Sequence, residues 1–151
     1  MPAKVTTPPK CKLALAVRAA RPCDLPAIRA IQTSSPEAAQ WEVSQYLAYH
    51  LRVAVSPSGL AGFVVARTLV PGESEILNLA VAPEFRRQGV ARALIEGWLR
   101  DFPGTVFLEV RASNKTAQKA YKCLGFQELI TRPEYYGSGS ESGIVMKFHS
   151  C

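Results

Sequence analysis

Residues 86–92 read Arg86-Arg87-Gln88-Gly89-Val90-Ala91-Arg92, and they separate two segments of different character. The apolar run 76–81 before them predicts a strand, and the segment 93–100 after them predicts an amphipathic helix. Gly89 lets the backbone approach a ligand closely, and the first free N–H groups of the helix would face an anion. The three arginines add positive charge at the same place. This stretch, which we call the anion turn, therefore predicts a site for a phosphorylated ligand.

The anion turn matches neither of the two common nucleotide-binding patterns. No Gly-Lys-Ser or Gly-Lys-Thr ends it, and it lacks the three glycines of the dinucleotide fingerprint. The formal net charge of the chain is +6, and residues 86–122 hold eight basic and three acidic residues, or 8 − 3 = +5. A nucleic-acid-binding patch is the competing interpretation of this clustering. It is less favoured, because no binding motif and no interleaved aromatic residues accompany the charges.

Length and composition are typical of one globular domain. The chain has 151 residues, of which 48% are hydrophobic and 20% charged. Residues 1–11 are rich in proline and lysine and predict a flexible tail, so the single domain is expected over residues 12–151. The tail does not have the pattern of a signal peptide, and no apolar run approaches the ~20 residues that cross a bilayer. We therefore expect a cytoplasmic protein with no membrane partner.

The potential metal-binding side chains are scattered. The four cysteines are Cys11, Cys23, Cys123 and Cys151, and they form no CxxC pair and no cluster with His50 or His149. This spacing predicts reduced thiols and no metal site.

Periodicity and turn signals predict strands and helices mixed along the chain. The expected strands cover residues 12–17, 52–55, 60–67, 75–81, 105–110, 126–130 and 143–148. One helix is expected after Pro22-Cys23 with Asp24 as its N-cap, a second after residues 34–37, a third after the anion turn, and a fourth from Asn114 to Leu124, ended by Gly125. The pattern predicts an α/β (α+β) domain in which helices flank a mixed, mostly antiparallel sheet.

Three polar side chains could do chemistry, and each also has a purely structural interpretation. Glu109 interrupts an otherwise apolar strand, but it could be an edge carboxylate paired with Arg111 or Lys115. Tyr121 shares one helix face with Asn114, but it could be a packing aromatic with its hydroxyl at the rim. Asn114 itself could be only a helix cap.

The anion turn resembles the Arg/Gln-x-x-Gly-x-Gly/Ala signature of the GNAT superfamily of acetyl-CoA-dependent N-acetyltransferases, with Arg86, Gly89 and Ala91 at the three defined positions. Segments on both sides are similar, in order and spacing, to the bacterial ribosomal-protein-alanine N-acetyltransferases. They are Leu77-Asn78-Leu79-Ala80-Val81, Leu108-Glu109-Val110-Arg111-Ala112-Ser113-Asn114, Ala120-Tyr121, Leu124-Gly125-Phe126, Arg132 with Tyr135-Tyr136, and Ile144-Val145-Met146. The resemblance is close over residues 76–148 and loose over residues 12–69.

This resemblance implies the GNAT fold and a role for each matching residue. Glu109 would be the general base and Tyr121 the general acid. Acetyl-CoA would be bound by one strand's backbone, by the anion turn and by one amide side chain: Leu79, Ala80, Val81, Arg86, Arg87, Gln88, Gly89, Val90, Ala91, Arg92 and Asn114. The acceptor would contact Trp41, Tyr135 and Tyr136. Ala91 stands where the family often has a second glycine, and Arg86 replaces a more usual glutamine.

The implied reaction is acetyl transfer from acetyl-CoA to an amine, most specifically the N-terminal alanine of a small-subunit ribosomal protein. No metal and no direct nucleic-acid recognition would be involved. Two alternatives stay open at this point. The acceptor could be another protein N-terminus, a lysine or a small-molecule amine, or the chain could be a non-catalytic module that binds acyl-CoA.

Overall fold

A single seven-stranded sheet has the strand order β1-β2-β3-β4-β5-β7-β6. The computed structural model describes residues 14–36, 38–136 and 141–149. The strands are β1 Ala16–Ala19, β2 His50–Ser56, β3 Gly59–Val70, β4 Glu73–Val81, β5 Thr105–Arg111, β6 Gln127–Tyr136 and β7 Glu141–His149. The helices are α1 Leu25–Thr33, α2 Val90–Asp101 and α3 Lys115–Cys123, with short 3-10 helices at Pro22–Asp24, Val43–Ala48 and Pro83–Phe85. Among the described strands only β4 and β5 pair in parallel, which confirms the mixed, mostly antiparallel sheet flanked by helices.

The sheet separates two hydrophobic cores. Helix α2 buries Val90, Leu94 and Trp98 against one face, and α3 packs Tyr121 against the same core. Helix α1 and the 3-10 helix Val43–Ala48 cover the opposite face with a core that includes Ile28. Successive β3 side chains alternate between the two cores, as a strand buried on both sides requires. The domain therefore has three layers, with helices on both faces of the sheet.

Strands β4 and β5 pair only at their beginnings. The parallel ladder joins Glu73–Glu75 to Thr105–Phe107, whereas β4 continues to Val81 and β5 continues to Arg111. A β-bulge lies where the pairing ends, because the β3–β4 register moves from Val65↔Asn78 to Ala66↔Ile76 and leaves Leu77 as the extra residue. A bulge bends its strand and increases the local twist. The two strands thus diverge and leave an opening inside the sheet.

Strand β7 lies between β5 and β6 and completes the far side of this opening. Its Gly143 is the register partner of Arg111 on β5 and of Arg132 on β6. The last described strand thus forms part of the surroundings of β5.

The structure corrects three local expectations. The helix expected after residues 34–37 is an irregular segment followed by the 3-10 helix Val43–Ala48, because side chains of Gln32 and Asn78 bind backbone carbonyls of that segment. Asp24 is the N-cap residue of α1 as expected, but its side chain makes no capping hydrogen bond to that helix. Its carboxylate instead accepts the N–H of Arg21 at 2.7 Å and binds Arg18 at 2.8 Å, which lowers its pKa.

The first strand begins at Ala16 rather than at residue 12, and residues 12 and 13 lie outside the described part. In that part of the chain no helix is long and apolar enough to cross a membrane.

Candidate active site

The opening between β4 and β5 forms a cleft of about 610 Å³. It brings together five of the residues expected at the site from the sequence: Trp41, Leu79, Glu109, Asn114 and Tyr121. The remaining lining residues come from the segment after α1, from β3, β4 and β5, and from the start of α3: Pro36, Ala38, Ala39, Gln40, Arg67, Glu75, Ile76, Leu77, Asn78, Leu108, Val110, Arg111 and Ala117. The divergence of two parallel strands therefore creates a concave surface near the expected chemistry.

Glu109 extends from β5 toward the α1 face, because its neighbours Leu108 and Val110 both enter the α2–α3 core. Its Oε1 accepts a hydrogen bond from Nη1 of Arg132 at 3.2 Å, whereas its Oε2 is buried and has no hydrogen-bond partner among the described residues. Burial raises the pKa of this carboxyl, Arg132 opposes that shift, and the nearby charge of Glu75 adds to it. A carboxylate with one free buried oxygen and a raised pKa is well suited to accept a proton.

Tyr121 approaches the same cleft from the opposite face of the sheet. It lies on α3 against the α2–α3 core, and its ring contacts Phe126 edge-on at a centroid distance of 5.5 Å. Burial raises the pKa of its phenol to about 12, so the hydroxyl stays protonated at neutral pH. The cleft thus has a proton acceptor on one side and a proton donor on the other.

A second carboxylate, Glu75, lies on the Glu109 side of the cleft, and sequence reasoning did not select it. Its neighbours Ser74 and Ile76 face α2, where Ser74 Oγ accepts a hydrogen bond from Trp98, so Glu75 faces the other way. Arg67 binds it at 2.8 Å. Glu75 is the last β4 residue in the short parallel ladder, and only the tertiary pairing reveals that it reaches the cleft.

The 3-10 helix Pro83–Phe85 separates β4 from the anion turn, whose last three residues are the first residues of α2. Arg87 and Gly89 both have left-handed backbones, with φ values of 63° and 83°. Gly89 is the N-cap of α2 and offers no side chain to cap the first N–H groups of the helix. Turns with left-handed residues at a helix N-terminus present N–H groups to an anion. The backbone geometry therefore suits the phosphate site expected from the sequence.

The side chains of the anion turn form hydrogen bonds with different parts of the protein. Arg86 is bound to Oγ of Ser35 at 3.0 Å and to the carbonyl of Val81 at 3.3 Å. Arg92 reaches the carbonyl of Cys123 on α3 at 3.4 Å. Gln88 donates to the carbonyl of Glu84 at 3.1 Å.

Val90 is 2% exposed and Ala91 is half-buried, so these two residues can offer a ligand mainly their backbone. Cofactor binding by all of these residues stays a prediction.

Alternate backbone groups of β4 face the opening. The N–H of Ala82 donates a hydrogen bond to the carbonyl of Ala61 on β3 at 2.8 Å. In an antiparallel ladder every second residue forms backbone hydrogen bonds with the same neighbouring strand. Leu79 and Val81 consequently direct their backbone groups away from β3. The N–H of Leu79 is accepted by Oδ1 of Asn78 at 3.0 Å. This exposed strand edge could pair with an extended amide-containing chain, as expected for Leu79, Ala80 and Val81.

The remaining expected residues are placed as follows. Asn114 is the N-cap of α3, with its Oδ1 accepting the N–H of Ala117 at 3.0 Å, and it also lines the cleft. Trp41 is 47% exposed at the cleft rim. The backbones of Tyr135 and Tyr136 end β6, but their side chains lie outside the described residues. Within the described ranges no group of three or more metal-binding side chains comes together.

The model of the acetyltransferase (GNAT) family matches residues 19–126. The [ribosomal protein bS18]-alanine N-acetyltransferase of Escherichia coli is 38% identical over 93 residues, which cover 58% of this chain and 62% of that protein. The N-alpha-acetyltransferase RimI of Mycobacterium tuberculosis is 33% identical over 91 residues, or 59% of this chain and 57% of that protein. These alignments span less than two thirds of the length of either relative.

Solved structures are similar over nearly the whole chain. The Escherichia coli ribosomal-protein-S18-alanine N-acetyltransferase has a TM-score of 0.73 at 29% identity, over 90% of this chain and 94% of that chain. Ard1 from Thermoplasma volcanium has a TM-score of 0.80 at 28% identity, over 92% and 99%. Naa20 of Chaetomium thermophilum, solved in complex with a bisubstrate analogue, has a TM-score of 0.78 at 26% identity, over 89% and 86%.

Proposed function

The chain belongs to the acetyltransferase (GNAT) family, and from this premise we propose that it transfers an acetyl group from acetyl-CoA to a protein α-amino group. The proposed acceptor is the N-terminal alanine of a small-subunit ribosomal protein in the cytoplasm. The single observation that carries the proposal is the position of Glu109 and Tyr121, which enter one cleft from opposite faces of the sheet.

This arrangement supports direct transfer between the two substrates. The α-amino group of a protein has a pKa of ~7.7–8.0, so a nearby carboxylate can remove its remaining proton at neutral pH. Glu109 is proposed to accept that proton, and the neutral nitrogen then forms a bond to the thioester carbon and gives up a second proton to solvent. The C–S bond then breaks, and Tyr121 is proposed to donate its proton to the departing sulfur. No covalent bond to the enzyme is needed, so the exposed thiol of Cys123 has no required role.

The proposed binding of acetyl-CoA uses the end of β4 and the anion turn. The edge of Leu79 and Val81 would pair with the amide groups of the pantetheine arm, and Asn114 would bind the same arm. The amides from Arg87 onward would hold the pyrophosphate, where the α2 dipole adds ~0.3–1 kcal/mol for a charge near the helix terminus. A coenzyme bound in this way places its thioester between Glu109 and Tyr121.

The choice of acceptor rests on the names of the relatives and on their sequence identity to this chain. The Escherichia coli relative is named for the alanine of ribosomal protein bS18, and it is similar to this chain both in sequence and in fold. Two further structures with at least 26% identity are Ard1 and a Naa20 that was solved with a bisubstrate analogue. The names of the Escherichia coli and Mycobacterium tuberculosis relatives favour a protein N-terminus over a small-molecule amine.

A peptide panel tests this proposal. The protein is incubated with acetyl-CoA and peptides that begin with alanine, serine, glycine or methionine, and mass spectrometry locates the added acetyl group. A matched peptide with a blocked N-terminus and an internal lysine separates α-amino from ε-amino transfer, and Glu109→Gln is the inactive control. Acetylation of the alanine peptide at its N-terminus is the expected result. Transfer only to lysine or to small amines would contradict the acceptor, and acetyl-CoA binding without any transfer would favour a binding module.

A further inference from the structure

Three buried polar side chains meet behind the cleft, and no step of the proposed reaction uses them. They are Gln32 on α1, Tyr46 on the 3-10 helix and Asn78 on β4, with exposed fractions of 5%, 1% and 7%. Nδ2 of Asn78 lies 3.2 Å from Oε1 of Gln32 and 2.9 Å from the hydroxyl of Tyr46, which in turn donates to Oε1 of Gln32. We call these three residues the buried triad. It connects two consecutive elements, α1 and the 3-10 helix Val43–Ala48, to the distant strand β4.

The buried triad also binds the segment that forms one wall of the cleft. Asn78 donates to the carbonyl of Ala39 at 3.0 Å, and Nε2 of Gln32 donates to the carbonyl of Trp41 at 2.7 Å. Residues 38–41 line the cleft and belong to no helix or strand. Side-chain hydrogen bonds therefore hold this segment, which we call the cleft wall, where regular backbone pairing does not.

Asn78 has a second partner on the coenzyme side. Its Oδ1 accepts the N–H of Leu79, the residue whose backbone faces the opening between β4 and β5. One amide side chain thus binds the cleft wall with its nitrogen and the exposed strand edge with its oxygen. Arg86 makes a parallel connection, since its guanidinium binds Ser35 just before the wall and the Val81 carbonyl at the end of β4.

Apolar side chains would fill the same space at a smaller desolvation cost than the three polar side chains of the buried triad. Asn78 interrupts the apolar run of residues 76–81, and a strand interior is an unfavourable position for asparagine. Buried polar groups are costly unless they are satisfied, and a satisfied network specifies one arrangement of the elements that it joins. The position of the buried triad therefore suggests that it fixes the relative positions of the elements that it joins, rather than contributing to stability alone.

We infer that Gln32, Tyr46 and Asn78 are positioning residues that couple the cleft wall to the coenzyme-binding edge of β4. This inference rests on the proposed function. When acetyl-CoA pairs with the edge at Leu79, Asn78 transmits the ordering of that edge to residues 38–41, which then contact the acceptor. Acetyl-CoA and acceptor should consequently strengthen each other's binding by the same factor.

The test compares Asn78→Leu and Tyr46→Phe with Ser74→Ala. Ser74→Ala is a matched control, because it also removes a buried side-chain hydrogen bond from β4, but on the α2 face away from the cleft. For an alanine-start peptide, both triad variants should raise the acceptor KM by about 10-fold or more, the scale of one lost buried hydrogen bond. Their affinity for acetyl-CoA alone should change little. Ser74→Ala should lower the melting temperature and leave the acceptor KM unchanged.

Hydrogen exchange supplies a second measurement that needs no acceptor. In the wild-type protein, acetyl-CoA should protect the amides of residues 38–42 as well as those at the end of β4. In Tyr46→Phe and in a folded Asn78→Leu, protection should persist on β4 and be lost from the wall. Equal protection in wild type and variants, or an unchanged acceptor KM, would overturn the inference. A wild-type protein that acetylates no peptide would contradict the proposed function, and the exchange experiment would still decide the inference.

Discussion

The carboxylate of Glu109 occupies the space that a β-carbon on Gly143 would need. The two residues lie on neighbouring strands, and the register partner of Gly143 is Arg111, two residues after Glu109. The backbone of Gly143 is not in the left-handed region, so its missing side chain, rather than its dihedral freedom, is what the site requires.

Gly143→Ala should therefore inactivate the enzyme by displacing the Glu109 carboxylate. We expect kcat to fall ~10²-fold, the usual scale for a catalytic group misplaced by about 1 Å. Steady-state kinetics with the alanine peptide measures the effect, and circular dichroism checks the fold. In the double variant with Glu109→Gln, Gly143→Ala should add almost nothing. Additive losses would show that Gly143 acts in some other way.

Glu109→Gln should abolish turnover near pH 7 without lowering stability. The loss should shrink as the pH rises past the amine's own pKa of ~8, because the acceptor then arrives neutral. Burial raises the Glu109 pKa, so folding favours its protonated form. The stability that the protonated carboxyl contributes is fully present below the unfolded-state pKa and is lost as pH rises through the folded-state pKa.

Near pH 7 the ionised carboxylate thus lowers the stability of the wild type, and the glutamine variant should melt at the same temperature or higher. Normal activity would leave Glu109 as a structural carboxylate.

Arg132→Met should move the acidic limb of the pH–rate profile to higher pH. Arg132 binds Oε1 of Glu109 and lowers its pKa, so removing the charge lets burial and Glu75 raise that pKa further. Glu109 accepts a proton only when it is ionised, so activity should disappear at a higher pH than in the wild type. Arg29→Met, which breaks the exposed ion pair with Glu42, is the control with an unchanged profile. If Arg132→Met leaves the pH–rate profile unchanged, that result would argue against Glu109 as the base.

Tyr121→Phe should lower kcat by ~10²-fold or more, the usual scale for a positioned acid. The ring contact with Phe126 remains, so stability and acetyl-CoA binding should change little. Because the Tyr121 pKa is about 12, the wild type should show no loss of activity from this group up to about pH 10. Near-normal turnover, with chemistry shown to limit the rate, would make Tyr121 a packing residue.

Gly89→Ala should weaken acetyl-CoA binding, and Gly72→Ala should not. Both glycines have left-handed backbones, with φ of 83° and 84°, and in both an added β-carbon meets no atom within 4 Å. The two variants therefore carry a similar backbone strain of ~1–2 kcal/mol, but only Gly89 belongs to the anion turn. Calorimetry should show a clear loss of affinity for Gly89→Ala alone. Equal affinities in two folded variants would contradict the proposed phosphate site.

Much of the fold follows from local patterns in the sequence. The strand expected over residues 105–110 is β5 and contains Glu109, and Asn114 caps α3 as expected. The helix expected after residues 34–37 was wrong because its evidence was only periodic spacing. Hydrogen bonds from Gln32 and Asn78 hold part of that segment in an irregular form, and Asn78 lies 39 residues from its partner Ala39 in sequence.

The signal for Asn78 was nevertheless visible. It interrupts an apolar strand just as Glu109 does, and the same reasoning would have selected it. Glu75 and Gly143 gave no comparable signal, because their importance depends on strand order. Glu75 enters the cleft through the short parallel ladder, and Gly143 reaches Glu109 only because β7 is inserted between β5 and β6.

The insertion of β7 also has a consequence for biosynthesis. A ribosome makes the chain from its N-terminus, so β5, α3 and β6 emerge before the strand that separates β5 from β6 in the finished sheet. Until residues 141–149 emerge, Glu109 lacks its neighbour Gly143, and the edge of β5 lacks its antiparallel partner. Nascent chains and premature-termination products that stop before this strand should therefore be catalytically inactive, even if they already bind acetyl-CoA.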